Sequence, residues 1–288
     1  MRVYNIDNKN VNSKAINFGM NSQAKALSFR MADFYVPIDG YGKNSIWAMM
    51  IKNNADKAVN FMRTNNNFEE TLKIITQGVT EANQILSNIN KRKRTGILRT
   101  SRAGWRTGSD WSGNIITPYS NAKKCRYKNY VSRFNDVLEH PLNNPYSDIE
   151  LSRPAFDSKN RTFIRHANPK YINNAFKHLE LIFNSLYDKY ILKEQNSINL
   201  SVINSSVAEM RWILAHSTPW ERGSDSISNV FMRSVYKAMG IKTYRLRKGI
   251  SLDLEAYCTN LDDYKKNFKN YFVKKPKDFN ISSQSRTQ

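Results

Sequence analysis

Residues 207–233 read Val207-Ala-Glu-Met-Arg-Trp-Ile-Leu-Ala-His-Ser-Thr-Pro-Trp-Glu-Arg-Gly-Ser-Asp-Ser-Ile-Ser-Asn-Val-Phe-Met-Arg233. Apolar residues at helical spacing lie on both sides of a short polar loop: Met210, Ile213 and Leu214 before it, Ile227, Val230 and Phe231 after it. Ser206-Val-Ala-Glu209 has the form of a capping box and predicts the start of the first helix, which Pro219 breaks. The second helix is expected from about Ser226 to Met239, with Gly240 as its terminator. Two helices joined by a tight turn are the core of a mainly α protein.

The turn is also the candidate site. Gly223-Ser224-Asp225-Ser226 leads straight into a helix, so backbone N–H groups and the positive end of the helix dipole converge where a phosphate can be held. Arg222 adds a permanently charged fork, and His216 stands at the end of the preceding helix, where an imidazole exchanges a proton near neutral pH. Glu221 or Asp225 is a candidate ligand for a magnesium ion bridging nucleotide phosphates. Each has a plainer role: His216 as a packing residue, Asp225 or Ser226 as a helix cap, Trp220 as a core wedge.

Further helices are expected from Phe68 to Asn90, capped by Asn67, from Asn168-Pro169 onward with Ile172, Leu179, Phe183 and Leu186 on one face, and from Leu252 to Phe272. Residues 242–246 read as a short strand, and residues 134–168 carry turn signals that argue against long helices. From Lys91 to Arg133 twelve basic residues meet one acid, Asp110, among interleaved tryptophans and tyrosines. Alternation at Gly113–Thr117 and Arg126–Val131 predicts short strands or a hairpin there, hence a basic flap, a loop or β-hairpin inserted in the helical bundle. The expected organisation is an irregular arm at 1–45, one domain at 46–273 with the flap at 91–133 and a helical core at 168–273, and a flexible tail at 274–288.

With 45 Lys and Arg against 24 Asp and Glu in 288 residues, the formal charge is +21 and an acidic partner is expected. Cys125 and Cys258 form no metal or redox motif. The start lacks the apolar run of a cleavable signal, and no run reaches the roughly 18 apolar residues of a membrane span. A cytoplasmic protein, or one exported by another route, is expected.

The order from Asn168 to Gly240, namely capped helix, helix, Pro-aromatic loop, helix and Gly, resembles the core of the Fic/Doc superfamily. Pro219, Trp220 and Gly223 match that family's loop, whereas Thr218 stands at its catalytic His position, Arg222 at its acidic metal ligand, and Ser226 at its phosphate-binding Arg. The resemblance implies a Fic/Doc-like helical bundle and a bacterial effector or toxin that moves a nucleotidyl or phosphate-bearing group from ATP or another nucleotide, with Mg2+, to a hydroxyl of a host protein. It assigns His216 and Arg222 to catalysis, and Gly223, Ser224, Ser226, Arg102 and Arg106 to phosphate, the two last from the flap. Two readings compete: a protein binding RNA or single strands through Lys91–Arg133, and a noncatalytic interaction protein whose positive face grips an acidic host or membrane surface. The echo between Trp105-Arg-Thr-Gly-Ser-Asp110 and Trp220-Glu-Arg-Gly-Ser-Asp225, each followed by an Asn four residues on, has dissimilar flanks and does not mark a repeat.

Overall fold

A computed structural model describes residues 45–85, 94–100, 115–118, 130–156, 162–192 and 198–278. The chain is mainly helical. Helix α1 (Ser45–Thr64) and helix α2 (Phe68–Ile85) form an antiparallel pair, followed by strand β1 (Ile115–Pro118), helix α3 (Tyr130–Glu139), and strands β2 (Arg153–Phe156) and β3 (Thr162–Arg165). Helix α4 (Ile172–Leu186), helix α5 (Leu200–Ser217) and helix α6 (Ser224–Ala238) come next, then strand β4 (Ile241–Lys242), helices α7 (Leu252–Tyr257) and α8 (Leu261–Asn267), and strand β5 (Lys277–Asp278).

Helix α5 is the axis. It packs against α4, α6, α7 and α8, and from Met210 to Ser217 every residue is buried. A helix covered on all sides loses its polar face, which is why this half reads Met-Arg-Trp-Ile-Leu-Ala-His, with Arg211 and His216 as polar residues inside it. Helix α6 buries Ile227, Val230 and Phe231 against α5 on one side and α1 and α2 on the other. The rings of Phe68, Phe183 and Phe231 meet at centroid distances of 5.8–6.3 Å, joining α2, α4 and α6.

Helix α2 begins as expected, with the Glu70 amide donating to Asn67 Oδ1 at 2.8 Å and two glutamates in its first turn favoured by the dipole. Other boundaries move. Helix α5 starts at Leu200, capped by Asn199, one and a half turns before the Ser206–Glu209 pattern. The long helix expected from Leu252 to Phe272 is broken at Cys258–Asn260 into α7 and α8. Helices α1 and α3 replace an unread stretch and a stretch read as strand and turns. The flap hairpin is not local: β1 pairs antiparallel with β3, whose other neighbour is β2. Alternation marks a strand but does not choose its partner. The expected tail is tied down at its start, where β5 pairs with β4 in the register Lys242↔Lys277. Residues 1–44 and most of the flap lie outside the described residues.

Candidate functional site

The turn at 218–223 is covered by the chain's own backbone. Residues 94–99 run across it as a strap: the Gly96 amide donates to Arg222 O, the Glu221 amide to Ile97 O and the Arg99 amide to Pro219 O, at 2.8–3.1 Å. Arg94 adds an ion pair to Glu221, whose side chain is 4% exposed. Gly223 adopts φ +86°, the left-handed region that glycine enters without cost, and a Cβ there would lie 2.7 Å from the Thr95 methyl. The hydroxyls are engaged inside the turn: Ser224 Oγ bonds both the amide and the carbonyl of Trp220, and Ser226 Oγ donates to Gly223 O. The strap and these internal bonds leave Gly223, Ser224 and Ser226 serving helix α6, which starts without a side-chain cap. They fit a structural joint better than an open phosphate cradle.

His216 is fully buried, with Nδ1 2.8 Å from Ser152 O and Nε2 3.1 Å from Ala256 O. A neutral imidazole donates to only one of them; burial still outweighs both carbonyls and brings its pKa down to about 4. It is a strut between α5, the segment before β2, and α7, and this corrects the expectation of a base at 216. Beside it, the C-terminal end of α5 is closed by Arg99, itself 4% exposed. Its Nε donates to Thr218 O at 2.6 Å and its Nη2 to Ser217 O and Ala167 O at 2.9 and 3.0 Å. A guanidinium suits the negative end of a helix dipole.

The charged side chains gather around Arg211 in the middle of α5. Arg211, with no exposed side chain, donates through Nη2 to Asp225 Oδ1 and through Nη1 to Asp253 Oδ1, both at 2.5 Å, and through Nε to Asn229 Oδ1 at 3.2 Å. Asn229 Nδ2 returns to Asp225 Oδ1 at 3.1 Å, an i,i+4 contact along α6. The two carboxylates come from the first turns of α6 and α7, where the dipole favours them, and each keeps about a fifth of its side chain in solvent (19% and 18%). Two acids against one guanidinium leave an excess negative charge. Burial, and next the Asp253 carboxylate, push Asp225 up to about 7 against the pull of Arg211. Tyr257 borders the cluster: its hydroxyl donates to Ala215 O at 3.2 Å and lies 3.5 Å from Thr218 Oγ1, and burial raises its pKa above the usual phenol range.

Of the expected site residues, the structure puts Asp225 in a centre whose other members, Arg211 and Asp253, went unread. It does not bring Glu221 and Asp225 together as metal ligands, since Glu221 turns to Arg94 and Asp225 to Arg211. Among the described residues, no three His, Cys, Asp or Glu side chains group as a metal site. Arg222 is half-buried at the covered turn, and Arg102 and Arg106 lie outside the described residues. The signal for the missed centre was present: an arginine inside an apolar helix requires partners.

The stretch that carries this core is also the one that sequence comparison recognises. Residues 128–275 match the model of the AvrB_AvrC avirulence protein family, more than half of the chain, and the protein belongs to that family. It is a bacterial virulence effector, which implies delivery into host cells and a host protein target. No curated protein matches the chain. The Fic/Doc resemblance is thereby overturned. Its three matching positions have local causes: Pro219 follows the last turn of α5, Trp220 is buried against Phe176, and Gly223 supplies a positive φ. No described helix is long and apolar enough to cross a membrane.

Proposed function

We propose that this effector chemically modifies a host protein, and that Asp225, held between Arg211 and Asp253, takes the proton from the acceptor side chain. The observation that supports the reading is a carboxyl group at the solvent edge of a buried cluster, poised at about 7 by its surroundings. A general base works best with a pKa near the working pH and contributes about 10²–10⁴-fold. Arg211 and Asn229 fix the carboxylate's position, and Asp253 raises its basicity. Transfer of a nucleotidyl or other phosphate-bearing group to a protein hydroxyl is a reaction that such a base serves. The covered turn offers that donor no cradle, so no residue is assigned to its phosphates.

The competing role for the same cluster is a clamp joining α5, α6 and α7. Producing the full chain and its Asp225→Asn variant in host cells, then searching host proteins by mass spectrometry for an added mass, separates the two. The expected result is a modified host protein with the native chain and its loss with the variant, which still melts cooperatively as a folded protein. No added mass with the native chain, or the same mass with Asp225→Asn, rejects the reading.

A further inference from the structure

Away from this cluster, residues 241–247 and 271–278 form a two-stranded antiparallel ribbon. Beyond the β4–β5 ladder, Leu246 pairs with Phe272, the Arg247 amide donates to Tyr271 O at 2.8 Å, and the Val273 amide donates to Arg245 O at 3.0 Å. Leu246 and Phe272 are buried, and Arg233 of α6 pins the ribbon from beneath, donating to Thr243 Oγ1 and Tyr244 O at 3.1 and 3.0 Å. Six basic residues lie on the ribbon, Lys242, Arg245 and Arg247 on one strand and Lys274, Lys275 and Lys277 on the other, with Lys248 and Lys269 at its ends, and all eight are exposed. The ribbon's one acid is Asp278, opposite Ile241 at the end of the ladder; the next along the chain are Asp253 and Asp263.

Lys242 and Lys277 stand directly opposite each other in the ladder, an arrangement that costs stability unless negative charge is nearby. The geometry points to this ribbon as a docking face for an anionic membrane surface. The six residues from Lys242 to Arg247, paired at both ends with the opposite strand, span up to about 20 Å at roughly 3.3 Å per residue, so the cations meet an extended surface and not a single acidic group. Val273, 40% exposed, lies among them and supplies an apolar contact at the interface. Single-stranded nucleic acid is less well served. Tyr271 and Phe272 are buried, and the half-buried Tyr244 ring has Lys242 Nζ and Lys274 Nζ over it at 5.7 and 5.8 Å, so the ribbon presents no bare ring on which a base stacks. The attraction falls off within a Debye length and holds the protein reversibly.

The test is sedimentation of the full chain with phosphatidylcholine vesicles, with and without phosphatidylserine, alongside single-stranded RNA and polyglutamate as rival ligands. Binding is expected only with phosphatidylserine, weakening as salt rises. Lys274→Gln, Lys275→Gln and Lys277→Gln together are expected to weaken it on the order of a hundredfold, at about 1 kcal/mol per lysine. The same change in net charge at the exposed Lys57, Lys73 and Lys177 is expected to weaken it less than tenfold. Melting curves of both triple variants confirm the fold. Absence of phosphatidylserine-dependent binding, equal losses in the two triple variants, or tighter ribbon-dependent binding of RNA or polyglutamate than of vesicles overturns the proposal.

Discussion

Two buried guanidinium groups serve helix α5, and their partners differ in kind. Arg99 closes the C-terminal end of the helix with bonds to the carbonyl oxygens of Ala167, Ser217 and Thr218. Arg211, in the helix interior, bonds two carboxylates and an amide. A carbonyl oxygen cannot gain or lose a proton at any working pH, whereas a carboxylate can. One contact is therefore a fixed lock, and the other changes its charge with its surroundings. The contrast separates the strapped turn at 218–223, held by backbone bonds, from the titratable cluster that begins two residues later at Asp225.

Replacing each arginine tests that contrast. Arg211→Met leaves two half-buried carboxylates without their counter-ion and is expected to cost about 3–5 kcal/mol near pH 8. The cost should shrink at pH 5, where Asp225 is protonated in the folded chain. Arg99→Met removes a charged donor from carbonyl groups and is expected to cost about 1.5–3 kcal/mol, with little difference between pH 5 and pH 8. Denaturant titrations of both variants at the two pH values supply the comparison. If the Arg211→Met loss does not change with pH, the cluster does not titrate as the geometry requires.

Asp225→Asn isolates the titrating group with a smaller effect. The folded-state pKa of Asp225, about 7, lies above its ordinary value of 3.8, so between those values the folded chain holds a proton that the unfolded chain has lost. Its contribution to stability is full below about pH 4 and disappears as pH rises through 7. His216 runs the other way: with a folded pKa of about 4 against 6.5, its contribution is present above about pH 6.5 and lost as pH falls through 4. The native chain should thus lose stability relative to Asp225→Asn as pH rises from 4 to 7, and melting temperatures across that range measure it. Parallel curves would place the proton elsewhere.

The helical core was legible because its signals are local: the Asn67 cap, the Ile172–Leu186 stripe and the break at Pro219 each follow from a few neighbouring residues. The helix Ser45–Thr64 was harder to read, since much of its buried stripe is alanine, with Ala48, Ala55 and Ala58 between larger side chains. The clustering of Arg211 with Asp253 rests on an approach of helices 42 residues apart in the chain, which no local pattern encodes. Arg99 reaches back 119 residues to Thr218 for the same reason. Asp225 was singled out, but as a metal ligand or cap. Its pairing with Asn229 at helical spacing was visible, and the excess of acid over base around it appears only once α7 is in place.

Thr218 joins the two regions and provides the smallest expected effect. Its carbonyl accepts from Arg99, while its hydroxyl donates to Ala215 O at 2.8 Å and faces Tyr257, which borders the acidic cluster. Its φ of +40° is unfavourable for a β-branched residue and costs about 1–3 kcal/mol. Thr218→Gly removes that strain but forfeits the hydroxyl's bonds, worth about 0.5–1.5 kcal/mol each, and adds freedom to the unfolded chain. The opposing terms nearly cancel, so a change within about 1 kcal/mol is expected. Thr218→Val keeps the branched shape and the strain yet loses the hydroxyl, and should be the less stable of the two. If Thr218→Val instead melts above Thr218→Gly, the left-handed backbone at 218 carries little strain, and the freedom that glycine adds to the unfolded chain outweighs its relief.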